Sequence, residues 1–189
     1  MKRIASIAAT VLLGLVLVLN ASSAQANEVV GDCWVDGGSK RSLCVGAGED
    51  IAGAVFEQFG IEIFTEGLKG EPVSLVSGDS TVSETSRGVS AAATYTLGIF
   101  YAHANKGGAK LFVTYGDHTI CSWGSIVTPN LAGAFGGVWN NVISSFETNW
   151  GCTGKIWDLA NYSGDTFGWT TLANSVGGMN DRATSYQLT

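Results

Sequence analysis

An internal repeat in the C-terminal half limits the folds open to this chain more than any other feature. Tyr101–Gly108 and Trp157–Gly164 both read aromatic-x-x-Ala-Asn-x-x-Gly. Further along, Trp139–Phe146 aligns with Met179–Tyr186, in the same order relative to the first pair. Self-similarity of this kind indicates two copies of one supersecondary unit, which bury their apolar faces against each other.

The two copies differ in length. Tyr101 and Asn140 are 39 residues apart, whereas Trp157 and Asn180 are 23 apart. The first copy therefore carries an insertion of 16 residues, which we place around 114–128, a stretch that contains Cys121.

Each copy has the composition of short strands joined by turns. The aromatic-x-x-Ala-Asn-x-x-Gly stretch suits a strand that enters a folded hairpin, with glycine where φ is positive. The chain has 26 glycines and only 2 prolines, and β-branched and aromatic residues dominate after Thr94. Two units of four strands would pack as two sheets, which predicts a mostly β sandwich.

The second half of each repeat carries a more specific signature. Asn140–Ser145 and Asn180–Ser185 both read Asx-Asx-x-x-Ser/Thr-Ser. With the hairpin signature at Trp157, Tyr162 and Gly164, these residues resemble the βγ-crystallin superfamily over about residues 95–189. The first hairpin departs from the pattern, because Lys106 stands where an aromatic is expected.

The resemblance implies two Greek-key motifs in a βγ-crystallin-like β-sandwich. It is closest to exported bacterial two-motif proteins, which are related to small metalloproteinase inhibitors of the same fold. It also implies Ca²⁺ as a ligand. In the family, the second Asx and the Ser/Thr side chain of each loop supply oxygens, together with carbonyls of the x residue and of the folded hairpin. The two motifs share the two sites.

Carried over to this chain, the candidate metal ligands are Asn141, the Val142 carbonyl, Ser144, Asp181, the Arg182 carbonyl and Thr184. Hard oxygen donors of this kind suit Ca²⁺. Only Asp181 among these side chains is anionic, so the predicted affinity is weak, on the order of 10⁻⁴ M or poorer. The alternative is that the same residues only cap turns by hydrogen bonds to the backbone.

The N-terminus reads as an export signal. Lys2 and Arg3 precede an apolar run, and the sequence Ala24-Gln25-Ala26 ends the stretch, which is the pattern of a cleaved signal peptide over residues 1–26. The apolar run is short for a membrane-spanning helix. We therefore expect a secreted, extracellular protein that has no membrane contact after cleavage.

Charge and cysteine content fit that location. Cleavage removes 2 of the 10 basic residues and leaves 8 against 16 acidic ones, so the mature chain carries a net charge of about −8. A chain this acidic is not expected to bind nucleic acid. Four cysteines allow three disulfide connectivities, and proximity in sequence favours Cys33–Cys44 and Cys121–Cys152.

The sequence before the repeat is interpreted as a small α+β segment over residues 27–77. A hairpin is expected within Asp32–Val45, a short helix within Glu49–Phe59, and strands at Ile61–Thr65 and Pro72–Val76. Residues 78–93 are rich in Ser and Thr and are assigned to a linker that precedes the domain 94–189. The segment is either a pro-segment that masks the domain or an extra hairpin and helix packed on it.

Enzyme signatures are absent from the sequence, including the zinc-protease, serine-hydrolase and phosphate-loop motifs. His103 and His118 are expected at the surface. Of the six tryptophans, Trp139 and Trp157 are expected in the core, and Trp123, in the insertion, is expected to be exposed.

We therefore expect a secreted, non-enzymatic, monomeric βγ-crystallin-like protein that binds calcium weakly. One alternative is a secreted protease inhibitor whose reactive loop is the insertion pinned by Cys121. Another is an antimicrobial protein or one that interacts with the cell wall. The expected partners are accordingly a secreted protease or a cell-surface component.

Overall fold

The computed structural model describes residues 31–67, 70–75, 91–128 and 130–189. The export signal predicted at 1–26 and most of the predicted linker lie outside the described residues. The described part contains one α-helix, α1 (Ile51–Phe59), and twelve strands. The strands are β1 (Cys33–Asp36), β2 (Ser42–Cys44), β3 (Ile61–Glu66), β4 (Pro72–Ser74), β5 (Ala92–His103), β6 (Gly107–Tyr115), β7 (Ile126–Thr128), β8 (Ser145–Thr148), β9 (Gly154–Leu159), β10 (Ser163–Thr170), β11 (Leu172–Ala173) and β12 (Ser185–Leu188).

The repeat folds into two Greek keys that exchange one strand each. Sheet A has the order β11-β8-β5-β6-β1-β2, and sheet B has the order β10-β9-β12-β7. The first motif (β5–β8) places β7 in sheet B beside β12, and the second motif (β9–β12) places β11 in sheet A beside β8. Each sheet is therefore completed by the other motif, which confirms the predicted mostly β sandwich.

The insertion of the first motif is divided between two places. Ten residues, 116–125, separate β6 from β7, whereas Thr171 alone separates β10 from β11. The connection from β7 to β8 is also longer than that from β11 to β12. The range 114–128 predicted from the sequence therefore contains the larger part of the insertion but not all of it, because the turns at Leu131–Gly133 and Phe135–Gly137 hold the rest.

The N-terminal segment extends sheet A. β1 pairs in parallel with β6, from Cys33 opposite Leu111 to Asp36 opposite Thr114. β3 pairs in parallel with the beginning of β5, from Ile61 opposite Ala92 to Phe64 opposite Tyr95. The N-terminal strands are therefore part of the same sheet as the first Greek key. The boundary drawn at residue 94 runs through one sheet, and residues 92 and 93, assigned from sequence to the linker, belong to β5.

Helix α1 forms where its caps and apolar spacing require it. Asp50 accepts a hydrogen bond from the Ala52 amide at 3.0 Å, which satisfies a free N–H of the first turn. Gly60 ends the helix in the left-handed conformation (φ 64°), and its amide bonds to the Phe56 carbonyl. The buried side chains are those of Ile51, Ala52 and Val55.

Two apolar cores result. The larger one lies between the sheets, and its largest fully buried members are Trp139, Tyr186, Phe100, Phe146, Leu97, Leu111, Leu131, Ile143, Ile156 and Leu188. The smaller one lies between α1 and the outer face of sheet A and contains Trp34, Ile51, Ala52, Val55, Ile61, Ile63 and Phe112. Among the described residues, no helix is long and apolar enough to cross a membrane.

Candidate metal-binding loops

Both repeats form the same folded hairpin. Asn105 and Lys106 in the first hairpin, and Asn161 and Tyr162 in the second, have φ between 57° and 61°. The glycine that ends each pattern, Gly108 or Gly164, also has positive φ. Two consecutive left-handed residues reverse the chain within the hairpin, and Asn tolerates this conformation better than most residues.

The hydroxyl of the final serine in each signature forms two hydrogen bonds to the backbone of the folded hairpin in its own motif. The Ser145 hydroxyl donates to the His103 carbonyl at 2.6 Å and accepts from the Lys106 amide at 3.0 Å. The Ser185 hydroxyl donates to the Leu159 carbonyl at 2.7 Å and accepts from the Tyr162 amide at 3.2 Å. Ser185 therefore repeats, in the second motif, both bonds that Ser145 makes in the first.

The Asx loops of the two motifs pair with each other. The Asn141 amide donates to the Ala183 carbonyl at 2.9 Å, and the Asp181 amide donates to the Ile143 carbonyl at 3.3 Å. Asn141 and Asp181 both have positive φ, 59° and 55°. The second Asx residue of each signature therefore adopts the same backbone conformation, and its amide donates a hydrogen bond to the other loop.

The side chains of each Asx loop also contact the loop of the other motif. Ser144 lies 3.2 Å from a carboxylate oxygen of Asp181, and Thr184 lies 3.3 Å from the amide oxygen of Asn141. The hydroxyl of one motif therefore meets the Asx side chain of the other. These exchanged pairs divide the predicted ligands into a first loop site around Ser144 and Asp181 and a second loop site around Thr184 and Asn141.

Oxygen atoms converge at the first loop site. The Ser144 hydroxyl lies 2.8 Å from the Ala102 carbonyl, 3.2 Å from Asp181 Oδ1 and 3.4 Å from the Val142 carbonyl. Ser144 is buried, and its hydroxyl has one proton to offer three acceptors. A surplus of hard oxygen acceptors around one buried hydroxyl fits a cation such as Ca²⁺.

The second loop site has a different charge. Asn141 is neutral, and the side chain of Arg182 lies at the adjacent hairpin. Its guanidinium donates to Asp158 at 2.7 Å, to Asp165 at 2.8 Å and to the Gly178 carbonyl at 3.0 Å. The bonds to Asp165 and Asp158 raise the pKa of Arg182 and pair its charge with two carboxylates, so the neutral Asn141 is what distinguishes the second loop site from the first. The second loop site therefore fits a cation less well than the first.

The first hairpin compensates for its missing aromatic residue. In the second hairpin, the rings of Trp157 and Tyr162 are 5.4 Å apart. In the first, Lys106 Nζ forms an ion pair with Glu147 at 2.8 Å, and the Tyr101 hydroxyl donates to the same carboxylate. Glu147 thus links the two positions that an aromatic contact joins in the other motif.

The Glu147 cluster shifts the pKa of two of its members. Burial raises the pKa of Glu147, but hydrogen bonds from Lys106 and Tyr101 outweigh it and hold that pKa below its ordinary value. Burial, with the nearby Glu147 carboxylate, raises the pKa of Tyr101. The cluster therefore favours an ionised Glu147 and a protonated Tyr101 at neutral pH.

The remaining predicted residues are placed as follows. Disulfides join Cys33 to Cys44 and Cys121 to Cys152, the pairs that proximity favoured. Trp139 is fully buried and Trp157 is 8% exposed, whereas Trp123 is 66% exposed. His103 Nδ1 lies 2.9 Å from the Ala102 carbonyl, and the His118 ring lies 4.9 Å from Tyr95 and 4.7 Å from Trp150.

Two Greek keys with exchanged third strands, two folded hairpins and two reciprocally paired Asx loops are therefore all present. Residues 92–189 have a βγ-crystallin fold. The βγ-crystallin signatures at Asn140–Ser145 and Asn180–Ser185 form the paired loops, and residues 31–75 add strands and a helix to one sheet of this fold.

Several solved structures are similar to about half of this chain. A βγ-crystallin domain from Clostridium beijerinckii has a TM-score of 0.38 and 21% identity, covering 49% of this chain and 95% of that one. The N-terminal domain of protein S has a TM-score of 0.37 and 17% identity (49% and 94%). A clostrillin double mutant in complex with nickel has a TM-score of 0.37 and 24% identity (49% and 95%). No protein-family model and no curated protein matches the sequence.

Some residues of the βγ-crystallin domain were not singled out from the sequence. The hairpin carbonyl at the first loop site is that of Ala102, which has no side-chain signal. Glu147 is 41 residues from Lys106, so only the fold brings them together. Lys155 and Trp169 lie beside Trp157 on the outer face of sheet B. The two-residue period of strand β9 places Lys155 and Trp157 on one face, which is a signal that sequence reasoning had available.

Proposed function

We propose that this chain is an exported, non-enzymatic βγ-crystallin-like module that binds Ca²⁺ weakly at the first loop site. The observation that carries the proposal is the convergence of the Ala102 and Val142 carbonyls and of Asp181 Oδ1 on the Ser144 hydroxyl. Ca²⁺ would be held among these oxygens, with the Ser144 hydroxyl coordinating through a lone pair and keeping its proton.

The donor set argues for weak binding. Among the described residues, no group of three or more His, Cys, Asp or Glu side chains lies close enough to hold a metal. The first loop site therefore relies on one carboxylate with hydroxyl and carbonyl oxygens. Ca²⁺ affinity rises with the number of anionic ligands, so with a single carboxylate a dissociation constant on the order of 10⁻⁴ M or weaker is expected.

The proposal also assigns the two loop sites different strengths. Asp181 brings a negative charge to the first loop site, while the second has the neutral Asn141 in the equivalent position. A site without an anionic ligand binds Ca²⁺ more weakly than a site with a carboxylate. We therefore infer one measurable site per chain.

Calorimetric titration of the disulfide-bonded chain from residue 27 with CaCl₂ tests this proposal. One site is expected, and Asp181→Asn should abolish the heat of binding because it removes the only anionic ligand. Asp117→Asn, which removes an equal charge outside the loops, is the matched control and should bind as the wild type does. Heat that is unchanged in Asp181→Asn, or no heat at 5 mM CaCl₂, would contradict the proposal.

Export and a non-catalytic role complete the proposed function. The signal-like residues 1–26 and the two disulfides support an extracellular location, since disulfides persist in oxidising compartments. The absence of enzyme signatures from the sequence supports a non-catalytic role. Mass spectrometry of the secreted chain should find Asn27 as its first residue.

One observation favours a second candidate, a secreted protease inhibitor. Trp123 projects from the insertion at 66% exposure, two residues from Cys121, whose disulfide to Cys152 anchors the loop. An anchored loop with an exposed aromatic side chain is suited to fill a protease pocket. Assays against secreted metallo- and serine proteases test it: inhibition lost in Trp123→Ala would support this candidate, and no inhibition of any protease would exclude it.

A further inference from the structure

The outer faces of the two sheets are built from equivalent strands but end up in different environments. In sheet A, Ile99 on β5 lies opposite Phe112 on β6, and both pack into the small core under α1. In sheet B, the equivalent strands are β9 and β10, where Lys155 lies opposite Gly168. The next residue, Trp169, is 45% exposed. Among the described residues, the helix that closes one face thus has no counterpart on this part of the other.

Lys155, Trp157 and Trp169 form what we call the indole corner. The Trp157 and Trp169 rings have centroids 6.1 Å apart and planes at 83°. The Lys155 ammonium lies 5.1 Å from the Trp157 ring and 5.7 Å from the Trp169 ring. Cation–π attraction to two perpendicular rings therefore holds the ammonium in a defined position at the surface.

The Lys155 ammonium keeps its charge available to a ligand. Within the described ranges, it has no carboxylate within 4.0 Å, whereas Lys106 and Arg182 are both paired. The two acidic side chains nearest along its strand pair, Asp158 and Asp165, are bound to Arg182. An unpaired ammonium held between two aromatic rings leaves a localised positive charge that a ligand carboxylate can approach.

The surroundings of the indole corner are polar. Thr166 lies directly opposite Trp157, and Gln187 lies directly opposite Lys155, so both share the outer face with the two residues. Their hydroxyl and amide groups can donate and accept hydrogen bonds. A face with one exposed indole, one cation and flanking hydrogen-bonding groups suits a ligand that is polyhydroxylated and anionic rather than an apolar protein surface.

We propose that the indole corner binds a carboxylated sugar unit of an acidic polysaccharide. The carboxylate pairs with the Lys155 ammonium, the C–H face of the sugar ring lies on the exposed Trp169 indole, and ring hydroxyls bond to Thr166 and Gln187. This binding needs no metal and does not involve the first or the second loop site. It assigns this exported chain a glycan surface distinct from the first loop site.

Binding of the disulfide-bonded chain to polygalacturonate, alginate and hyaluronate tests the proposal, with EDTA present so that Ca²⁺ bridging and the loop sites play no part. Isothermal titration should show binding to at least one of the three. Fully methyl-esterified polygalacturonate, which keeps the sugar ring and removes the charge, should bind more weakly than polygalacturonate if that is the polymer bound. Added NaCl should weaken binding, because the ion pair is exposed.

Variants assign the binding to the indole corner. Trp169→Ala should weaken binding about tenfold, as expected for an exposed aromatic anchor, and Lys155→Gln about threefold, as expected for one exposed ion pair. Trp123→Ala, which removes a more exposed tryptophan in the insertion, is the matched control and should bind as the wild type does. Near-ultraviolet circular dichroism checks that each variant is folded.

Three results would overturn the proposal. The first is no binding to any of the three acidic polysaccharides. The second is binding that Trp123→Ala weakens as much as Trp169→Ala does, since the site would then lie elsewhere. The third is self-association in sedimentation that Trp169→Ala abolishes, since the indole corner would then be an interface between copies of this chain.

Discussion

At the scale of single residues, the two adjacent hydroxyl residues of each signature have separate tasks. Ser145 and Ser185 fasten the folded hairpins, each with one donated and one accepted hydrogen bond. Ser144 and Thr184 reach across to the other motif instead. Ser144 and Thr184 come directly before β8 and β12, and Ser145 and Ser185 are the first residues of those strands, so each Ser/Thr-Ser pair serves both tasks.

Removing the Ser145 hydroxyl should lower the stability of the fold without changing metal binding. Ser145→Ala leaves the His103 carbonyl and the Lys106 amide without their partner, which should lower the free energy of unfolding by about 2 kcal/mol. Urea unfolding in EDTA measures this. Exposed Ser122→Ala is the control and should change stability by less than about 0.5 kcal/mol. Equal midpoints for wild type and Ser145→Ala would contradict the assigned role.

The Glu147 cluster predicts a pH dependence. Because the folded state holds the pKa of Glu147 below 4.5, the ionised carboxylate stabilises the protein above that pH and loses this effect as pH falls through the folded-state pKa. Glu147→Gln should therefore lower stability by about 1 kcal/mol at pH 7 and by less at pH 3. Thermal unfolding of both proteins at the two pH values checks it, and a stability difference that does not shrink in acid would contradict it.

At the scale of elements, α1 and the strands beside it bury the outer face of sheet A. α1 covers Ile99, Phe112 and Trp34, and parallel pairing of β1 with β6 brings Trp34 there. The helix therefore acts as a cover for a sheet face that βγ-crystallin strands alone would leave open, and its stability depends on this packing more than on its nine residues.

Truncating the helix contact should destabilise the whole fold. Val55 is fully buried against the sheet, so Val55→Ala should lower the free energy of unfolding by about 2 kcal/mol. Gln58→Ala, on the exposed side of the same helix, should change it by less than about 0.5 kcal/mol. Denaturant unfolding followed by tryptophan fluorescence measures both. If Val55→Ala were as stable as Gln58→Ala, α1 would not be part of the cooperative fold.

Local signals in the sequence predicted elements better than their assembly. The apolar spacing within Glu49–Phe59 predicted α1, although its N-cap Asp50 was expected inside the first turn, and the repeat predicted the hairpins and loops. The parallel pairings of β1 with β6 and of β3 with β5 join distant segments whose partner no local pattern names. The same limit applies to the first hairpin. From the sequence, Lys106 was interpreted as a departure from the hairpin signature, because its partner Glu147 is far away along the chain.

At the scale of the whole molecule, the chain is one βγ-crystallin sandwich completed by its N-terminal segment. The exchanged strands β7 and β11 make each motif incomplete alone, and the Cys121–Cys152 disulfide ties the insertion to the turn before β9. Residues 31–75 then cover sheet A. We infer that this segment is a structural part of the mature protein.

Deleting the N-terminal segment tests that inference. A chain of residues 91–189 keeps both Greek keys but uncovers Ile99 and Phe112, and an apolar face of this kind promotes association. We expect aggregation, or a folded state with a lower melting temperature, in size-exclusion chromatography and circular dichroism. A monomer as stable as the longer chain would show that the segment is dispensable.

The central claim, that the first loop site binds calcium only in the folded protein, is tested most directly by thermal unfolding of residues 27–189 in EDTA and in 5 mM CaCl₂. With a dissociation constant of about 10⁻⁴ M, Ca²⁺ should stabilise the native state by about 2 kcal/mol and raise the melting temperature by about 6 °C. Asp181→Asn should abolish that rise, and Asp117→Asn should keep it. An unchanged melting temperature in the wild type would contradict the claim and leave the paired loops with a purely structural role.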